Sequence, residues 1–184
     1  MSGEREGDAL RARFAAVRAL VLDVDGVLTD GALTYGPDGE VVKVFHVRDG
    51  LGIRLAQREG IVVAMITAKR SPMLSRRLAE LEVMHVLDGR EDKGAALAEL
   101  AASLDLAQHE LAFVGDDVLD LAAMRAAGLA IAVADAHPFV LEEAAWVTHE
   151  RGGRGAVREV CDALLDARGR LRAACEDLAR GIGR

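Results

Sequence analysis

Four stretches of the chain place carboxylate, hydroxyl or ammonium groups where short apolar runs end. Asp23 and Asp25 lie two apart in LVLDVDGVLTDG, Thr67 closes IVVAMIT, Lys93 falls in DGREDKG, and Asp116, Asp117 and Asp120 crowd into VGDDVLD. Brought together in a poorly hydrated cleft, Asp23, Asp25 and Asp116 would repel one another, raising their pKa values and opposing folding. A divalent cation removes that repulsion. Hard oxygen donors with no His or Cys beside them favour Mg2+, which takes a few protein carboxylates and keeps positions for water and a phosphate oxygen. A carboxylate beside such an ion can attack phosphorus to form an aspartyl-phosphate, splitting ester hydrolysis into two steps. A second carboxylate two residues on can protonate the departing alkoxide and then activate water. Thr67 and Lys93 are suited to holding the non-bridging oxygens.

These residues meet only if the runs that carry them lie side by side. LVLDVD, IVVAMIT, HVL, LAFVG, LAIAV and AWVT are β-prone, and between them DGLGIRLAQREG, SPMLSRRLAEL, DKGAALAELAASLDL and VLDLAAMRAAG repeat apolar residues at three- and four-residue steps. An amphipathic helix is expected ahead of them, from about Asp8 to Ala19. The alternation predicts an α/β fold, a three-layer Rossmann-like parallel sheet with helices on both faces. Such sheets bind ligands outside the carboxyl ends of their strands, where the aspartates, Thr67 and Lys93 would gather. GALTYGPDGEVVKVFHVRDG breaks the pattern, because Gly36-Pro37-Asp38-Gly39 is a turn signal between two β-prone runs. A β-hairpin insertion after the first strand is therefore expected, at about 31–47. The stretch between MIT and HVL has room for one helix and no cap domain. The expected organisation is one domain over residues 1–184, with a charged, helix-prone tail at about 169–184 that is either mobile or docked on a neighbour.

With 184 residues, 51% hydrophobic and 29% charged, the composition is that of one soluble globular unit. The chain has no apolar run of membrane-spanning length, and its N-terminal stretch lacks the apolar core of a signal peptide. A cytoplasmic protein without a membrane partner is expected. A net charge of −7 and only 3% aromatic residues argue against nucleic acid as a partner. Cys161 and Cys175 have neither the spacing nor the neighbouring histidines of a zinc site or disulfide framework, and Cys161 is expected in the last core helix. Met65, Met73, Met84 and Met124 sit in apolar patterns and are expected as core filler. Arg48 and Asp49 read as a helix cap and a structural ion pair.

In their order, Asp23-Val24-Asp25, Thr67, Lys93 and Gly115-Asp116-Asp117-Val118-Leu119-Asp120 resemble the motifs of the haloacid dehalogenase superfamily. DVDGVLTDG, VRDGLGI, VGDD, VADAHP and GGRGAVREVCD extend the resemblance over roughly residues 20–168. They are similar to the capless branch that dephosphorylates sugar-acid phosphates such as 3-deoxy-D-manno-octulosonate 8-phosphate in lipopolysaccharide precursor synthesis. The resemblance implies a Mg2+-dependent phosphomonoesterase with Asp23 as nucleophile and Asp25 as general acid/base. Asp25 would also ligate the metal through its backbone carbonyl, and Asp116 through its side chain. Asp117 and Asp120 would act in the metal's outer shell or orient Lys93. A homotetramer is implied as well, with assembled hairpins and neighbouring subunits covering an open site.

The family's Thr-Gly-Arg is replaced here by Thr67-Ala68-Lys69-Arg70, and lysine holds a carboxylate only as a point charge. Gly26, Lys69, Arg70 and Arg77 are the substrate-binding candidates, the three cations for the sugar-acid carboxylate. GGRGAVRE reads equally as a substrate loop or as a loop and helix start. Two other readings are a nonulosonate 9-phosphate phosphatase and a receiver-like phospho-accepting signalling domain. Receiver domains carry their acceptor aspartate on the third strand, where HVLDGRED offers no further match.

Overall fold

The computed structural model describes residues 2–181, and in it the run before Asp23 forms β1 (Ala19–Leu22), with every residue buried. Four apolar residues inaccessible on both faces require cover on both sides, as in a central strand of a parallel sheet. The rest of the sheet comes from β4 (Val62–Ile66), β5 (His85–Leu87), β6 (Leu111–Gly115), β7 (Leu129–Ala132) and β8 (Trp146–Val147), and the helices that join the strands supply the cover. All pairings are parallel and the order is β5-β4-β1-β6-β7-β8. Leu22 lies opposite Met65 on one side and Val114 on the other, so the strand ends align. One or two residues past that row come Asp23, Thr67 and Asp116.

The helices are α1 (Ser2–Ala16), α2 (Val47–Arg58), α3 (Pro72–Glu80), α4 (Lys93–Ser103), α5 (Leu121–Ala126), α6 (Pro138–Glu143), α7 (Ala156–Ala167) and α8 (Leu171–Ala179). α7 packs against α1 and α2, whereas α4, α5 and α6 form a second group. Ser71 and Asp92 cap α3 and α4, accepting from the backbone N–H of Leu74 and Ala95. β2 (Thr34–Gly36) and β3 (Gly39–Val42) pair antiparallel as the hairpin between β1 and α2.

Several expectations need correction. The first helix ends at Ala16, and Ala19 already belongs to β1. The parallel strand stops at Leu22, so Asp23 and Asp25 lie in the loop beyond it. α6 has no counterpart in the sequence reading, because six residues are too few to display a helical period. Its start is nevertheless signalled, by Pro138 in the first turn and by His137 Nδ1, which accepts from the N–H of Phe139 at 3.2 Å. Met65 and Met124 are core residues, but Met73 is partly exposed and Met84, just ahead of the short edge strand β5, is 83% exposed. The expected Arg48–Asp49 ion pair gives way to a longer-range contact. Asp49 is fully buried and accepts the backbone N–H of Arg158 at 2.8 Å, joining the first turns of α2 and α7. Within the expected tail, α8 buries Ala174 and packs Leu171, Cys175 and Leu178 on the chain's own core, and residues 182–184 lie outside the described residues.

Candidate active site

The loop after β1 is built to hold carboxylates close to the sheet. Asp23 extends the ladder by one bond, its N–H donating to Val114 O at 3.0 Å, and the N–H groups of Leu28 and Thr29 then converge on Val24 O at 2.9 and 3.0 Å. Gly26 turns this loop with φ +99°, and a Cβ there would lie 2.0 Å from Asp116 Oδ2. Only glycine both adopts that conformation and leaves the Asp116 carboxylate its place. The GGRG run braces the loop from outside. Gly153 N–H donates to Val27 O at 2.9 Å, Arg154 pairs with Asp30 at 2.8 Å, and a Cβ on Gly152 would meet Gly26 O at 1.7 Å.

Lys93 enters from the first turn of α4. Its ammonium, 5% exposed, stands 2.7 Å from Asp23 Oδ1 and 2.5 Å from Asp120 Oδ1. A lysine at a helix N-terminus is opposed by the helix dipole, so the two carboxylates must hold it there. Asp120 is fully occupied, since its Oδ2 accepts the N–H of Asp116 at 2.9 Å and of Asp117 at 3.2 Å. Asp117 turns to the N–H of Val118 at 2.7 Å. Thr67, 2% exposed, is fixed by its N–H to Leu87 O and accepts the Lys69 N–H on Oγ1 at 3.3 Å.

The electrostatics follow from this crowding. Burial, then repulsion from Asp120, pushes the Asp23 carboxyl up to about 6 against the opposing pull of Lys93. Asp116 is pushed further, to about 8, by burial and then by Asp23 and Asp120. Burial works against the Lys93 ammonium, but Asp23 and Asp120 outweigh it and hold its pKa above the ordinary lysine value. Carboxylate oxygens of Asp23, Asp116 and Asp120 lie within 4.8 Å of one another. Among the described residues no hydrogen-bond donor reaches the Asp116 carboxylate. Hard oxygen donors, surplus negative charge and an unpartnered carboxylate together fit a small divalent cation.

A cavity of about 230 Å³ is lined by Asp23, Asp25, Thr67, Ala68, Lys69, Lys93, Asp116, Asp117, Leu119 and Asp120. Residues from four separate strand ends thus share one space. Of the expected substrate cations only Lys69 lines it, with Nζ 3.9 Å from Asp25 Oδ2. Arg70 pairs with Asp88 at 3.3 Å and Arg77 with Glu80 at 3.4 Å, and neither reaches this cavity. One neighbour escaped the sequence reading. Lys43, just past the end of β3, has a side chain only 3% exposed that pairs with Asp25 Oδ1. The available signal was a lone cation inside the otherwise apolar run VVKVF.

Comparison with known proteins agrees with this geometry. Residues 57–159 match the family model described as haloacid dehalogenase-like hydrolase. The chain is 48% identical over 155 residues to the 3-deoxy-D-manno-octulosonate 8-phosphate phosphatase KdsC of Salmonella typhi, covering 84% of this chain and 82% of that one. The crystal structure of the corresponding phosphatase from Yersinia pestis superposes with a TM-score of 0.87 at 45% identity, over 90% of this chain and 89% of that one. The Moraxella catarrhalis phosphatase, solved with a magnesium ion, a phosphate ion and a KDO molecule, gives a TM-score of 0.90 at 35% identity, over 93% of this chain and 98% of that one.

Proposed function

The chain belongs to the haloacid dehalogenase-like hydrolases, and from that premise we propose that it hydrolyses 3-deoxy-D-manno-octulosonate 8-phosphate to the free sugar acid and phosphate, in lipopolysaccharide precursor synthesis. The observation that carries this reading is the shared cavity of about 230 Å³, in which Asp23, Thr67, Lys93 and Asp116 converge from separate strand ends on one space. The cofactor is Mg2+, held by the side chains of Asp23 and Asp116 and the backbone carbonyl of Asp25. When bound, it neutralises the carboxylate cluster and draws charge from the phosphate oxygens.

Asp23 is the nucleophile. Its carboxylate oxygen attacks phosphorus, the bond from phosphorus to the sugar oxygen breaks, and that oxygen takes the departing electron pair together with a proton from Asp25. Water then attacks the aspartyl-phosphate and gives its proton to the Asp25 carboxylate, freeing phosphate and restoring Asp23. Thr67 and Lys93 hold the non-bridging oxygens. Asp120 orients Lys93, whose ammonium it contacts at 2.5 Å, and Asp117 shapes the turn that presents Asp116. Gly26, Lys69, Arg70 and Arg77 are the proposed substrate-binding residues, Lys69 being the one that already lines the cavity.

Among the described residues no helix is long and apolar enough to cross a membrane, and a cytoplasmic enzyme is proposed. The hairpin exposes Tyr35, Val41, Val42 and Val44. Exposed apolar surface of this kind supports assembly through the hairpins into a homotetramer. Phosphate release from the octulosonate 8-phosphate, compared with a nonulosonate 9-phosphate, tests the substrate. Turnover should vanish with EDTA, return with Mg2+ and fall by about 10⁴-fold or more in Asp23→Asn. A metal-loaded protein that releases phosphate from neither sugar acid overturns the assignment.

A further inference from the structure

An antiparallel sheet with one face on the protein ordinarily sends its charges to water and its apolar side chains inward. Around Lys43 the arrangement is reversed. Val42 is 45% and Val44 60% exposed, whereas the Lys43 side chain between them is 3% exposed. A lysine withdrawn from water to this extent needs close ionic partners. Lys43 has two, Asp25 Oδ1 and Glu40 Oε1, the latter at 3.2 Å. Lys43 does not line the cavity, whereas Asp25 does. Any influence it has on the reaction therefore passes through Asp25.

We propose that Lys43 is a positioning residue that holds Oδ1 of Asp25 from the hairpin and so leaves Oδ2 as the oxygen that carries the leaving-group proton. Among the described residues the Lys43 hydrogen bond goes to Oδ1 and no donor reaches Oδ2, Lys69 Nζ standing 3.9 Å from it and beyond hydrogen-bond range, so that oxygen is free to exchange a proton with substrate. The division of labour needs a fixed side-chain torsion at Asp25, because rotation about its terminal bond would exchange the two oxygens. The ion pair supplies that restraint. It also ties the posture of the hairpin to the acid–base group, so that a hairpin displaced from the site would release Asp25. This inference rests on the reading of Asp25 as the proton carrier.

The test exploits how much different leaving groups need a proton. The purified, Mg2+-loaded protein is assayed on a graded set of phosphate monoesters that it turns over, from the sugar-acid 8-phosphate to 4-nitrophenyl phosphate, whose phenolate departs unaided. Values of kcat/KM are compared, since they report the first phosphoryl transfer. Lys43→Met, and the more polar Lys43→Gln as a second neutral variant, should lose about tenfold or more on the alkyl ester and much less on the nitrophenyl ester, a part of the full general-acid contribution. Lys43→Arg should restore most of the loss. Inhibition by the free sugar acid should be unchanged, because Lys43 does not touch it. An equal loss on both esters marks a merely structural role and overturns the proposal. So does weakened inhibition by the sugar acid, which would make Lys43 a substrate contact. If the unaltered protein hydrolyses no ester, it is the phosphatase reading itself that fails.

Discussion

Asp116 shows how far the charge of single residues is out of balance until a cation is present. Its carboxyl, pushed up to about 8, and that of Asp23, pushed up to about 6, start from an ordinary 3.8. A carboxyl whose pKa is raised on folding binds more protons in the folded state, so its effect on stability worsens as pH rises. The penalty is absent below about 3.8, builds as pH rises from there, and levels off above about 6 for Asp23 and about 8 for Asp116. Thermal unfolding in EDTA should therefore show stability falling between pH 6 and 8.5, and the gain on adding Mg2+ should be larger at pH 8 than at pH 6. A metal-induced shift of the same size at both values would show that these carboxyls do not carry the repulsion. At this scale much of the site was legible, since Asp23, Asp25, Thr67, Lys93 and Asp116 each follow an apolar run and line one cavity. Lys43 was not, because its partner Asp25 lies 18 residues away and the pairing depends on how the hairpin folds back. Arg70, in the loop before α3, and Arg77, on α3, are legible in the sequence only as positive charge, and charge alone does not say which cations face the cavity.

Elements are joined by contacts whose partners the sequence conceals. Asp49 lies in the first turn of α2, and its Oδ1 accepts the Arg158 N–H of α7 at 2.8 Å. Burial raises its pKa against the pull of that bond, so a neutral acceptor can stand in for it. Asp49→Ala would strand the Arg158 N–H and should cost about 1–3 kcal/mol in a denaturant melt, whereas Asp49→Asn should stay within about 1 kcal/mol of the parent. Equal losses in the two variants would argue that the charge, not the acceptor, matters. The six parallel strands were readable because strands covered on both faces must be apolar throughout. Helix ends were less so. Residues before Asp8 continue the first helix without an apolar stripe to mark them, and α6 is shorter than the period that would reveal it. Met84 stays exposed despite its apolar surroundings in sequence, because a residue beside an edge strand of three residues has no second face to enter.

For the whole molecule, the hairpin is the part whose surface a single chain leaves unfinished. Tyr35 at 67%, Val41 at 52% and Val44 at 60% exposure cluster on a two-stranded sheet, which is marginal by itself in water. If hairpins pair between copies, the double variant Val41→Glu, Val44→Glu should convert a tetramer to smaller species in light scattering while leaving far-UV circular dichroism unchanged. A parent protein that is already monomeric at working concentration would refute the assembly. The strand order has a consequence for synthesis. β1 is flanked by β4 and β6, and β6 begins at Leu111, some 90 residues after β1 begins at Ala19. A chain leaving the ribosome can pair β1 with β4 early, but the other edge of β1, wholly apolar, stays open until β6 emerges. At about 5–20 residues per second that interval lasts several seconds. During it the future catalytic edge is an uncapped strand with adhesive flanks, and any slowing of translation before Leu111 prolongs the window in which two nascent chains can join through it.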